Sequence, residues 1–154
     1  MQVLCAVGQR GGPQLVRRVV EMLFAGSELL LLHVVDTGPR HDLKHLIGSL
    51  RHGPAGASER ESELHAAEES AGKAALAETR EAAQAAGFRA RTSLAWGRPE
   101  EIILQLAESE NVSLICIRAR EGAEGHLHIG PASVGHTARF VLDHAPCDVL
   151  LLRE

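Results

Sequence analysis

The sequence has few cysteines and no long apolar segment. Its three cysteines, Cys5, Cys116 and Cys147, include no C-x-x-C pair, which argues against a disulfide framework and favours a reducing compartment, the cytoplasm. The longest apolar runs beyond the amino terminus, such as Leu29–Leu32, are too short to span a bilayer. Because no basic segment precedes the short apolar run at the amino terminus, we expect no secretory signal peptide.

A surplus of basic residues is also lacking. The chain of 154 residues carries 16 Lys and Arg against 20 Asp and Glu, a formal net charge of −4. General nucleic-acid binders and proteins of anionic membranes show a basic surplus, so we expect neither kind of partner. The length and the 45% apolar content are typical of one globular domain, and we expect 1–154 to form a single domain.

Known catalytic motifs are missing as well. The sequence has no G-x-S-x-G, no G-x-x-x-x-G-K-[ST] and no H-E-x-x-H pattern. Ser133, His136 and Asp143 are the residue types of a hydrolytic triad. On one helix, however, Asp143 would lie about 10 Å along the axis from His136, at about 1.5 Å per residue. We therefore predict no catalytic residues.

Short apolar runs alternate with segments of helical periodicity. The runs predict strands, most of them buried on both faces, and the periodic segments predict amphipathic helices. The predicted strands are Val3–Val7, Leu29–Val35, Phe88–Trp96, Val112–Ile117 and Val149–Leu152. The predicted helices run from Pro13 to Gly26, from about Ala57 to Ala86, from Pro99, and from between Gly130 and Gly135 to Pro146. This order predicts an α/β fold with a parallel sheet covered by helices on both faces.

One segment, Thr37 to about Ser58, interrupts the alternation. It is rich in glycine and proline and has little periodicity. Such a composition offers little apolar surface for burial, so we predict a long and mobile connection.

Glycines and arginines follow the first and fourth predicted strands. Gly8, Arg10 and two further glycines follow the first strand, whereas Arg118, Arg120 and Gly122 follow the fourth. In open parallel sheets, ligands bind beyond the carboxyl ends of the strands, where the strand order reverses. If the two strands are neighbours, their loops and the amino end of the last helix form an anion-binding crevice. Alternatively, the glycines only make turns and the arginines face solvent.

Four motifs resemble the universal stress protein family and together cover the whole chain. The spacing Gly122-x2-Gly125-x9-Gly135 is similar to that family's adenine-nucleotide signature, G-2x-G-9x-G-[ST]. The tail, residues 140–151 (FVLDHAPCDVLL), resembles the family's closing pattern. The segment 31–35 (LLHVV) resembles its second strand, and Gly97-x-Pro99 resembles the start of its third helix.

This resemblance implies a fold, an assembly and a ligand. The fold is an open five-stranded parallel sheet of order 3-2-1-4-5, of the adenine-nucleotide alpha-hydrolase-like kind. The assembly is a homodimer paired through the last strand, Val149–Leu152. Some members bind ATP or AMP and others bind no nucleotide. The implied nucleotide or phosphate contacts are Gly8, Arg10, Val34, Arg118, Arg120, Gly122, Gly125, Gly135, His136 and Thr137.

Two positions depart from the family pattern. Nucleotide-binding members have an aspartate after the first strand, where this chain has Gly8, and a Ser or Thr after the third glycine, where it has His136. Thr137 is adjacent, but on a helix we expect it to point elsewhere. The alignment of the glycine signature with this chain also has an alternative. In it, Arg118 takes the place of the first glycine, and Gly130-Pro131 begins the last helix.

The remaining histidines predict no metal site. His126, His128 and His136 are close in sequence, but His126 and His128 would point to opposite sides of an extended segment. His33 lies in a buried strand and is expected to be a hydrogen-bonded core residue. The sequence thus predicts a stress-response protein that binds an adenine nucleotide. The alternatives are an interaction module without nucleotide and, third, an enzyme no faster than a slow ATPase.

Overall fold

The computed structural model describes residues 1–37, 57–119 and 133–153, with side chains described from residue 60 onward in the second range. The strands are β1 (Gln2–Ala6), β2 (Glu28–Asp36), β3 (Arg89–Gly97), β4 (Leu114–Arg118) and β5 (Asp148–Leu152). The helices are α1 (Gly12–Val20), α2 (Ala57–Ala85), α3 (Pro99–Ser109) and α4 (His136–His144). Residues 38–56 of the predicted mobile connection and the glycines Gly122 and Gly125 lie outside the described residues.

The strands form one parallel sheet of order β3-β2-β1-β4-β5, which confirms the expected fold. Alternate residues of each strand face opposite sides, so each face needs its own cover. Val3, Cys5 and Leu31 pack with α1 and α2 on one face, whereas Leu4 and Leu30 pack with α3 and α4 on the other. Burial of each such leucine stabilises the fold by roughly 1.5–3 kcal/mol. The continuous apolar runs in the sequence result from this two-sided burial.

Two cysteines lie side by side in the centre of the sheet. Cys5 of β1 is directly opposite Cys116 of β4, and both side chains are fully buried in the core beneath α1 and α2. A hydrogen bond with Cys116, followed by burial, raises the pKa of the Cys5 thiol well above its ordinary value. Both side chains therefore belong to the core, and the Cys5 thiol remains protonated.

Helix α1 is shorter than predicted. It ends at Val20, whereas the apolar spacing predicted a helix up to Gly26. Turns replace its last part: the N–H of Met22 donates to the carbonyl of Val19, and the backbone N–H and the hydroxyl of Ser27 both donate to the carbonyl of Phe24. Phe24, which the apolar spacing placed on the stripe of the predicted helix, is 81% exposed.

Helix α4 begins at His136, with Gly135 as its cap. The alternative start at Gly130-Pro131 is therefore wrong. No described helix is long and apolar enough to cross a membrane.

Candidate ligand-binding crevice

The crevice arises because neighbouring strands have different lengths. Strand β1 pairs with β2 only as far as Ala6 and Leu32, whereas β2 continues beside β3 to Asp36 and Gly97. Beyond the end of β1, the last residues of β2 form one wall of an open space of about 720 Å³. The loop after β1, the end of β4 and the amino end of α4 form the rest of its lining. This is the edge at which parallel sheets bind ligands.

The loops after β1 and β4 meet in this crevice. Gly11 has φ +76°, a left-handed conformation that favours glycine, and the Arg118 guanidinium lies directly against it. A Cβ atom at this position would overlap the guanidinium. Arg118 Nη1 also donates to the carbonyl oxygen of Arg10 at 3.5 Å. The structure thus brings Gly8, Arg10 and Arg118 together in the lining of one crevice.

The amino end of α4 forms another part of the lining. Gly135 has φ +90°, and its N–H donates to Ser133 Oγ at 3.2 Å. His136 turns toward α3, with Nε2 3.4 Å from Oε1 of Glu100, and its side chain is 78% exposed. Thr137, the next residue, also lines the crevice. Among the described lining residues, Thr137 is the only one with a hydroxyl group.

His33 supports the wall formed by β2. Its ring is 4% exposed, and Nδ1 donates to the Val7 carbonyl at 2.8 Å, which confirms the expected hydrogen-bonded core histidine. We assign the proton to Nδ1 because a carbonyl can only accept. Gly72 of α2 makes room for the ring, since a Cβ atom there would be 2.5 Å from Cδ2. Val34, the next residue, lines the crevice.

The crevice contains charges of both signs. Arg10 and Arg118 provide positive charge, and Asp36 and Glu68 also line the space. Neither acid was predicted from the sequence. The position of Asp36, directly after a predicted strand, was a usable signal, whereas Glu68 was one of many acids in an Ala- and Glu-rich helix.

Other predicted site residues lie outside the described part of the chain, namely Arg120, Gly122 and Gly125. His126 and His128 are outside it too. Within the described ranges, no group of three or more His, Cys, Asp or Glu side chains has an arrangement that could hold a metal ion.

Strand order and crevice together define an open α/β protein with a ligand crevice at the switch point of its sheet. The model of the Universal stress protein family matches residues 1–153. The chain belongs to the universal stress protein family.

Solved structures show the same fold. Universal stress protein UspA from Lactobacillus plantarum is 26% identical, with a TM-score of 0.71, 99% of this chain covered and 97% of that one. Hypothetical protein MJ0577 is 21% identical, with a TM-score of 0.74 and coverages of 99% and 95%. No match is found among curated proteins.

Some structural neighbours were solved with nucleotides. A universal stress protein family protein from Arabidopsis thaliana, with AMP bound, is 17% identical, with a TM-score of 0.61 and coverages of 100% and 92%. Two other universal stress proteins, at 16% and 17% identity, were solved in complex with cAMP and with dAMP.

Proposed function

We propose that this universal stress protein binds an adenine nucleotide in the crevice beside β1 and β4. The observation that carries the proposal is the convergence of Arg10, Arg118 and the amino end of α4 on one space of about 720 Å³. That volume is within the range of small-molecule sites. AMP, dAMP and cAMP in structural neighbours support the choice of ligand.

The phosphate end of the ligand belongs near the two arginines. Guanidinium groups form charge-assisted hydrogen bonds with phosphate oxygens, and the first amides of a helix attract anions. Thr137 provides a hydroxyl at this end of α4, one residue beyond the position where nucleotide-binding members have theirs.

Binding should be weaker than in members with the full motif. The aspartate is replaced by Gly8 and the hydroxyl by His136, and each lost hydrogen bond is worth about 0.5–1.5 kcal/mol, or up to about 3 if charged. Together these losses correspond to roughly a tenfold to several hundredfold lower affinity. Both ATP and AMP remain candidate ligands.

A direct test is to restore the missing groups. Gly8 has room for a side chain, because the nearest atom to an added Cβ would be the Arg10 carbonyl oxygen at 3.6 Å. We expect Gly8→Asp and His136→Ser each to tighten AMP and ATP binding in calorimetric titrations, with Gly8→Ala as the control that adds bulk without charge. Mass spectrometry of nucleotide released by heat from the purified protein tests the wild type. Absence of bound nucleotide together with absence of titratable binding in every variant would refute the proposal.

The second candidate function is an interaction module without nucleotide. Gly8 and His136 favour it, because both family side chains that contact the nucleotide are missing. Binding of AMP or ATP by the wild type would decide against this alternative.

We also propose a homodimer paired through β5. This strand forms one edge of the sheet, and its residues Val149, Leu150 and Leu151 are only partly buried in the single chain. An uncovered apolar edge strand favours pairing with another chain. Sedimentation should show a dimer at micromolar concentration, and a monomer there would refute it. Free, unpaired cysteines in the described chain are compatible with a location in the cytoplasm, which is also part of the proposal.

A further inference from the structure

The described part of the crevice lining has no surplus of positive charge to favour a highly anionic ligand. Among the described residues that line it, Arg10 and Arg118 are opposed by Asp36 and Glu68. Their formal charges cancel. ATP has roughly twice the negative charge of AMP, so an added carboxylate near the phosphate position disfavours ATP more.

Glu100, which does not itself line the crevice, has its carboxylate beside His136, the first residue of α4. It belongs to the first turn of α3, and its Oε1 is 3.4 Å from His136 Nε2. The Glu100 side chain is 12% exposed, whereas that of His136 is 78% exposed and lines the crevice. A largely buried carboxylate is poorly screened by salt, so its charge would be felt by an anion bound beside His136. Its charge is compensated by His136 only when the imidazole is protonated.

We propose that Glu100, together with His136, is a specificity-determining pair that selects nucleotides with few phosphates over ATP. This inference rests on the proposed function, because it assigns a preference to the same site. His136 takes the position of a phosphate-binding hydroxyl and contacts an internal carboxylate instead. In this proposal one substitution has two effects: the ligand loses the hydroxyl that would bind its phosphate, and the phosphate is repelled by the carboxylate of Glu100.

A matched pair of acids allows a sharp test. Glu101 is the next residue of the same helical turn, but it faces Arg98 at 3.7 Å and its side chain is 53% exposed. Glu100→Gln and Glu101→Gln remove the same charge from the same helix end and change neither shape nor size appreciably. Any difference between the two variants therefore reports the position of the charge.

The experiment titrates AMP and ATP into the wild type and both variants by calorimetry. The titrations are run at low salt and again at 0.5 M salt, where the Debye length is roughly 4–5 Å. We expect Glu100→Gln to tighten ATP binding by about three- to tenfold and AMP binding by a smaller factor, so that the ATP-to-AMP affinity ratio rises by more than about twofold. Glu101→Gln should leave the ATP-to-AMP ratio within about twofold, and thermal melts should show all three proteins folded.

The outcomes separate the two proposals. Binding of nucleotide with the same ATP-to-AMP ratio in Glu100→Gln as in wild type overturns the specificity assignment and leaves nucleotide binding standing. An equal change in both variants also overturns it, because the effect would then be one of general charge. Absence of binding in all three proteins refutes nucleotide binding itself, and the specificity assignment with it.

Discussion

Gly12 offers a quantitative test of how α1 meets α2 at the rim of the crevice. Gly12 is the first residue of α1, and its φ lies outside the left-handed region, so alanine is acceptable to the backbone. Space is the obstacle. An added Cβ would be 3.0 Å from Val7 Cγ1 and 3.2 Å from Thr79 Cβ, and closer still to Thr79 Oγ1. Thr79 cannot easily move, because it is fully buried and its hydroxyl donates to the Ala75 carbonyl at 2.6 Å.

The expected change follows from two opposing effects. Overpacking of a core costs about 1–3 kcal/mol. Replacing glycine by alanine restricts the unfolded chain and returns about 0.4–1 kcal/mol. We expect Gly12→Ala to lower the free energy of unfolding by about 1–2 kcal/mol. With a slope of about 2 kcal/mol per M urea, the midpoint of urea denaturation should fall by about 0.5–1 M.

A double-mutant cycle identifies the cause. Thr79→Ala removes Oγ1, the atom nearest the new Cβ, and leaves Thr79 Cβ and Val7 Cγ1 in place. Gly12→Ala should therefore cost less in a Thr79→Ala background than in the wild type, whereas Thr79→Ser keeps the hydroxyl and should relieve less of the cost. Gly26→Ala is the control, because Gly26 has φ +91° and no atom within 4 Å of an added Cβ. It should cost about 1–2 kcal/mol through the backbone alone and show no coupling to Thr79. Penalties of Gly12→Ala and Thr79→Ala that add within about 0.5 kcal/mol would refute the steric explanation.

Three further predictions concern named contacts. Gly72→Ala should displace the His33 ring and weaken its hydrogen bond to the Val7 carbonyl, which should lower the free energy of unfolding by about 1–3 kcal/mol. Nuclear magnetic resonance should show a shifted or lost signal from the proton on His33 Nδ1. Thr137→Val should weaken AMP binding by roughly two- to tenfold, whereas Thr137→Ser should not; equal affinity in both variants would show that the hydroxyl makes no contact. In the native protein the buried Cys5 and Cys116 should resist alkylation and Cys147 should react slowly. Burial and then the charge of Asp148 raise the pKa of the Cys147 thiol, and a hydrogen bond from the backbone of Ile115 partly offsets this. Mass spectrometry that showed Cys5 modified before Cys147 would contradict the prediction.

Sequence patterns predicted those features that local physics determines. The strands were recognisable because two-sided burial requires unbroken apolar runs such as Leu29–Leu32. Helix α3 was recognisable from Pro99 and the acids that follow it. The order of the strands depends on packing between distant segments, and only the family resemblance supplied it.

The candidate site was predictable in part for the same reason. Arg10 and Arg118 follow strands whose ends meet, so their convergence could be expected once β1 and β4 were taken as neighbours. The contact of His136 with Glu100 joins two helices and left no pattern in the sequence. The end of α1 was mispredicted because apolar spacing continues to Phe24, whereas the chain after Val20 is held in turns by the bonds of Met22 to Val19 and of Ser27 to Phe24.

The central place of β1 in the sheet has a consequence for the order of folding. Val3 pairs on one side with Leu29, from the next strand of the chain, and on the other with Leu114, from the far part of the sequence. Pairing of distant segments requires closure of long loops and is intrinsically slow. During synthesis the amino-terminal segments also emerge first. We therefore expect β1, β2 and β3 to assemble early and β4 to dock late. On this order the crevice is completed only in that final step, so the proposed ligand would bind completed molecules and not their folding intermediates.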